Sequence, residues 1–266
     1  MIRGFWQSRL AYWSVLALSG LIAVLIWVRD RSYPLFVPVL ASVLMLAIGF
    51  LTARILGNLV SSHLNTRYLG LLHMELDPKA FLVAYGSVPG KLKPGSRSQL
   101  IASAYLADGY AAAGEFDRAM AVLSPCSFGT DKALKGLYYN NLSAYALGEG
   151  DLEAARAAMG VLEETIEETR FTNTSLSQNL EGSLRLYRSW VGSLTGGTVE
   201  REWLRDLTRE APYKLRRLEA ARVLSQDAAS REDWAAARTY WKFLSQEGGK
   251  TYYRSWADRQ ENQRTR

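Results

Sequence analysis

The chain has one cysteine, Cys126, and two histidines, His63 and His73. A lone cysteine allows no intrachain disulfide and supplies no cysteine cluster for zinc, which agrees with a reducing compartment. Acidic residues are almost missing from the first 70 positions, where Arg3, Arg9, Arg29, Arg31, Arg54 and Arg67 stand against Asp30 alone. The other 196 residues carry 26 bases and 25 acids and are close to neutral. The formal net charge of +6 therefore belongs to the N-terminal end. A binder of phosphate backbones would cluster its cations on the folded domain, so nucleic acid is disfavoured as a partner.

What is abundant at that end is apolar sequence. Between Arg9 and Arg29 run nineteen uncharged residues, "LAYWSVLALSGLIAVLIWV", and a second uncharged nineteen, "LFVPVLASVLMLAIGFLTA", runs from Leu35 to Ala53. At about 1.5 Å per residue each helix would measure roughly 28 Å, close to a bilayer's hydrocarbon core. Pro34 and Pro38 fall before and within the first turn of the second run, where a missing N–H costs little. Tyr12, Trp13, Trp27 and Tyr33 mark the ends, as interfacial aromatics do. A cleaved signal peptide would have a shorter apolar core and a small-residue cleavage site, and the "WVRDR" that follows here is a poor one. Two such runs in tandem are also unusual in a soluble core. The expectation is a transmembrane helical hairpin over residues 1–53, with spans at about 10–28 and 35–53 and contact with the lipid bilayer through residues 10–53. Arginines at both termini outnumber Arg29 and Arg31 in the connector, so both termini and the following domain are expected in the cytoplasm, with the plasma membrane as the site. Residues 54–98 read as a juxtamembrane helix and linker. In 54–76 apolar residues recur at three- and four-residue spacing, as on a segment that packs beneath a domain.

From residue 99 onward an internal spacing recurs. Leu106-Ala107, Gly114, Phe116, Ala119 and Leu123 share their offsets with Leu142-Ser143, Gly150, Leu152, Ala155 and Met159, 36 residues later. They share them again with Leu224-Ser225, Glu232, Trp234, Ala237 and Trp241. Small residues let paired helices approach, and the large ones fill the space between pairs. These copies resemble the tetratricopeptide repeat, a helical hairpin of about 34 residues. Tyr110 stands where that family expects an aromatic, whereas Ala146 and Ala228 take that place in the other copies, and Glu232 replaces the turn glycine. The segment 175–210, with Gly196-Gly197 between two helical stretches, accommodates a degenerate copy. Loops are expected at "YGSVPGKLKPGS" (85–96) and "FTNTS" (171–175).

The resemblance implies an all-α fold, a transmembrane hairpin followed by an α-solenoid over 99–266. It also implies a concave groove for a protein partner, a peptide or helix. Side chains from the first helix of each hairpin would face it: Asp108, Asn140, Ala144, Glu219, Arg222 and Gln226. The lysine and asparagine pattern that some members use on a terminal carboxylate is not evident.

Little else carries chemistry. His63 and His73 point roughly 80° apart on one helix, and Glu75 and Asp77 nearby do not complete a metal site. "GSVPGKL" (86–92) lacks the spacing and hydroxyl of a phosphate loop, and Pro89 lacks an N–H. "EETIEE" (163–168) reads as a solvated face. Cys126 has no histidine near it in sequence, and the glycosylation-like "NLS" at 141 and "NTS" at 173 mean little in a cytoplasmic domain. No catalytic residue, metal, cofactor or small-molecule substrate is expected. The favoured expectation is a membrane-tethered scaffold or adaptor. A structural subunit that uses the hairpin as its interface, through Ser19/Ala23 and Gly49/Ala53, is the alternative, and a membrane enzyme is a distant third.

Overall fold

The structure is a computed structural model that describes residues 3–29 and 36–264, apart from the side chains of 3–9, 11, 57–64 and 264. The connector with Arg31, Tyr33 and Pro34, and the side chains of Arg3, Arg9 and His63, lie outside the described residues. Every regular element among the described residues is a helix. Contacts divide the chain into two compact units, Met1–Tyr68 and Leu69–Arg266.

The first unit holds α1 (Arg3–Arg29) and most of α2 (Phe36–His73). Tyr12–Arg29 and Phe36–Leu56 are long and apolar enough to cross a membrane, with mean hydropathy 1.7 and 2.3. Leu18, Leu21, Leu25, Leu44, Ile48 and Leu51 stand exposed along them, an arrangement suited to a lipid surround. Small residues bring the two helices together. A Cβ on Gly49 would lie 2.0 Å from Ser19 Oγ, and the Ser42 hydroxyl donates to Ala23 O at 3.5 Å. Tyr12 and Phe50 meet edge to face at 6.4 Å.

The second unit begins inside α2 and includes residues that the sequence assigned to a linker, because Leu72, Leu76, Phe81 and Tyr85 are buried in it. After α3 (Pro78–Tyr85) and a 3-10 turn at Pro89–Lys91, helices follow in pairs. These are α4 (Arg97–Ala112) with α5 (Phe116–Leu123), and α6 (Lys132–Glu149) with α7 (Leu152–Thr169). Next come α8 (Thr174–Thr195) with α9 (Arg201–Glu210), and α10 (Lys214–Ser230) with α11 (Trp234–Glu247), before a last helix α12 (Tyr252–Arg264). The partners α4/α5, α6/α7 and α10/α11 pack on each other, α9 packs on α10, and the first helices α4, α6, α8 and α10 pack in succession. Asp77, Ser96, Asp131, Asp151, Asn173 and Asp233 each accept a backbone N–H at a helix start, satisfying donors the helix itself cannot.

The recurrent offsets have a packing cause. Ala107, Ser143 and Ser225 are wholly buried at the crossings, as are Ala119, Ala155 and Ala237 on the second helices. The turn residues Gly114, Gly150 and Glu232 all have positive φ, at 84°, 91° and 61°. The α8/α9 pair lacks the pattern for a simple reason. Its buried small residue is Ser189 and its left-handed turn residue is Gly196, at the same separation as Ala107 and Gly114. The second helix, however, starts at Arg201 rather than two residues after the turn glycine. Three inserted residues displace the rest of the pattern, and Leu204 takes the place of the buried alanine.

The end of the chain returns to the beginning of this unit. Lys250 N–H donates to Leu76 O at 2.9 Å, and its ammonium meets Asp77 Oδ2 at 2.5 Å. A Cβ on Gly249 would lie 2.7 Å from Leu76 Cβ, and one on Gly114 would lie 2.9 Å from Tyr252 Cβ. Tyr252 also stacks edge to face on Phe116 at 5.1 Å. The first and last helices of the unit are thereby joined.

Glu232 has a Cβ in a left-handed turn that glycine fills at the two equivalent positions, a conformation that costs a β-carbon-bearing residue about 1 kcal/mol. Glu232→Gly is expected to raise stability by about that amount. The check is the thermal midpoint of the full chain in detergent micelles, followed by helical circular dichroism.

Candidate functional site

Because α4, α6, α8 and α10 pack side by side, the residues on their common free face line one partly open cleft of about 400 Å³. Asp108 comes from α4; Asn140, Asn141, Ala144 and Tyr145 from α6; Ser183, Tyr187 and Trp190 from α8; and Arg216 and Glu219 from α10. The joined chain end adds Tyr252 and Tyr253, and His73 and Tyr213 stand at another part of the wall with rings 5.4 Å apart. Gly109, next to Asp108, fixes the placement of α4, since a Cβ there would meet Phe81 Cδ1 at 2.5 Å.

The polar groups form a partly satisfied network. Tyr145 donates to Asp108 Oδ1 at 2.6 Å, and Tyr187 donates to Asn140 Oδ1 at 3.2 Å. Asn140 Nδ2 donates to Asn141 Oδ1 at 3.1 Å. Arg216 donates to Glu219 at 2.9 Å and to Gly182 O at 3.0 Å. Trp190 Nε1 is a buried donor with no partner.

Burial raises the Asp108 carboxyl to about 7; the Tyr145 hydrogen bond opposes that rise and the Glu219 charge adds to it. The Tyr145 phenol is pushed well above its ordinary 10, by burial first and by Asp108 second. Burial also lowers the His73 imidazole, which keeps it neutral at pH 7.

Four of the six residues assigned to the groove, Asp108, Asn140, Ala144 and Glu219, line this cleft. Arg222 and Gln226 do not. Arg222 is only 5% exposed; its guanidinium bonds the Tyr252 hydroxyl and lies over the rings of Trp190, Tyr252 and Trp256 at 4.7, 5.2 and 4.9 Å. It supports the aromatic wall from behind. Gln226, one turn further on, has a buried Oε1 without a partner. Sequence reasoning missed Tyr145, Tyr187, Arg216, Tyr252 and Tyr253. Tyr187 lies in the displaced copy, and the two C-terminal tyrosines arrive only through chain closure. Arg216, three residues before Glu219 on one helix face, had a readable signal.

The other residues weighed for chemistry have structural places. Asp77 caps α3 and pairs with Lys250, which holds its carboxyl below the usual range. Cys126 is half-buried beside a small apolar pocket lined by Leu100, Leu123 and Tyr138, and burial raises its thiol. Among the described residues no group of three or more His, Cys, Asp or Glu side chains could hold a metal ion. No family model, curated protein or solved structure matches this chain. Its function must be read from the cleft itself.

Asp108 makes stability depend on pH. Its folded carboxyl keeps its proton well above the ordinary 3.8, so the unfolded chain releases that proton first. Its contribution is greatest below about pH 4, declines as pH approaches 7, and is flat above. Asp108→Asn is expected to abolish that decline and to add on the order of 2 kcal/mol at pH 8. Urea midpoints of both chains at pH 5 and pH 8 check this.

Proposed function

We propose that this chain is a membrane-tethered adaptor. Its apolar hairpin holds it in the bilayer, and a tetratricopeptide-like helical domain grips a segment of a partner protein in the cleft. The observation that carries the reading is the convergence of Asp108, Asn140, Ala144 and Glu219, from three separate first helices, on one cleft. The repeat identity is supported by the buried small residues at equivalent crossings and the positive φ at three equivalent turns. Confining adaptor and partner to a surface raises their effective concentration without any new contact.

The cleft's chemistry favours binding over catalysis. The described hydrogen-bond donor on Asp108 is a phenol that stays protonated, so the pair presents no activated nucleophile. The alternative of a structural subunit is weakened in the hairpin. Gly49 and Ser19, residues that would serve an external helix interface, meet each other instead.

Photo-crosslinking in cells tests the adaptor reading. A benzophenone side chain at Asn140 or Ala144 is expected to give a discrete adduct with a second protein, and one at the solvent-facing Arg188 none. Equal labelling from all three positions would remove the cleft from the account.

Orientation is tested with a single thiol. Cys126 is a poor reporter because burial raises its pKa, whereas Phe171 is 92% exposed. A Cys126→Ser, Phe171→Cys chain is expected to react with a membrane-impermeant maleimide only after permeabilisation. Reaction in intact cells would place the helical domain outside.

A further inference from the structure

We propose that the cleft receives a basic side chain of the partner polypeptide, a lysine or arginine, with the Asp108 carboxylate as its counter-ion and the surrounding rings as its walls. This rests on the reading of the cleft as a polypeptide-binding site and specifies the chemistry of the segment it takes.

The charges in the cleft do not balance internally. Glu219 is matched by Arg216 at 2.9 Å. Asp108 makes no ion pair with any described residue, and it accepts a hydrogen bond from the neutral Tyr145 phenol. A carboxylate in such a place is ordinarily paired, and an unpaired one calls for a cation. Groups that face Asp108 come from every neighbouring helix: Tyr105 on its own helix, Tyr145 on α6, Tyr187 on α8 and Glu219 on α10. His73 and Tyr213 complete the wall, and burial keeps the His73 imidazole neutral at pH 7. Neither arginine is free to serve Asp108. Arg216 is engaged by Glu219 and the Gly182 carbonyl, and Arg222 is fixed under three rings.

The walls suit a cation as well. Tyr187, Trp190, Tyr213 and Tyr252 all border the cleft, and ring faces attract ammonium and guanidinium groups. The protein already uses two of these rings in that way on Arg222.

A separate observation argues that the cation arrives on a polypeptide. Trp190 is 2% exposed and borders the cleft, and its indole N–H has no acceptor. A metal ion or a simple amine brings no acceptor. A peptide segment brings a carbonyl at every residue along with its basic side chain.

The test uses the full chain in detergent micelles against a randomised nonapeptide library, with Ala144→Trp as a cleft-blocked control and Asp108→Asn as the charge variant. Enrichment of lysine or arginine at one position, lost in Asp108→Asn while other selectivity remains, is the expected result. Because Asp108 titrates near 7, a resynthesised basic peptide should bind about tenfold more tightly at pH 8 than at pH 6, and equally at both in Asp108→Asn. Peptides retained without basic enrichment, or with enrichment indifferent to Asp108→Asn, would overturn the inference and leave the peptide-binding cleft standing. Retention no greater than that of Ala144→Trp would overturn both. Thermal melts of the variants separate loss of binding from loss of fold, since Asp108→Asn is expected to melt no lower than the parent at pH 8.

Discussion

The close approach of helices at buried small residues is the constraint on which the domain depends. Ala107, Ser143 and Ser225 occupy the same place in three packed helix pairs, each wholly without solvent contact. A larger side chain at any of them would push the second helix outward and tilt the pair. Asp108 and Ala144, which line the cleft, directly follow Ala107 and Ser143 on these same first helices, so the crossings place that part of the cleft wall. Gly109 adds the equivalent constraint toward α3, where the Phe81 ring leaves no room for a Cβ.

A second constraint converts a row of pairs into a cleft with a closed end. The chain end is tied to Leu76 and Asp77 by one backbone hydrogen bond and one ion pair. Leu76 itself holds a positive φ of 54°, unusual for a leucine, and burial of its side chain together with the Lys250 bond to its carbonyl sustains that conformation. Closure delivers Tyr252 to Phe116 and to Arg222, so the aromatic wall is assembled from residues about 30 to 136 apart in sequence. Arg222 is therefore a support for this wall, with its charge offset by ring faces and a phenol rather than by a carboxylate.

The hairpin and the helical domain follow different rules. In the first unit the large apolar side chains point outward and the small ones inward, which is the arrangement of helices solvated by lipid. In the second unit the large side chains Trp190, Phe81 and Leu218 are inside. The change of rule occurs within one continuous helix, α2, with no loop to mark it. For that reason the stretch from Leu69 to Ser98 reads as linker in the sequence and belongs to the domain in space.

The sequence by itself determined the elements whose causes are local. Two uncharged apolar runs and the three pairs with regular offsets were legible because each depends on residues within a few turns of one another. The resemblance to the tetratricopeptide repeat assigned Asp108, Asn140, Ala144 and Glu219 to the groove, along with Arg222 and Gln226, which lie elsewhere. Only the tertiary structure decided the rest. Three inserted residues after Gly196 shift the offsets in the segment that the sequence read as a degenerate copy, since an offset pattern fails at one insertion while packing tolerates it as a longer turn. The burial of Arg222, the union of the chain end with Leu76, and the isolation of Asp108 from any cation all depend on which distant helices become neighbours. That choice is made by the packing of whole surfaces, and no local stretch of sequence encodes it.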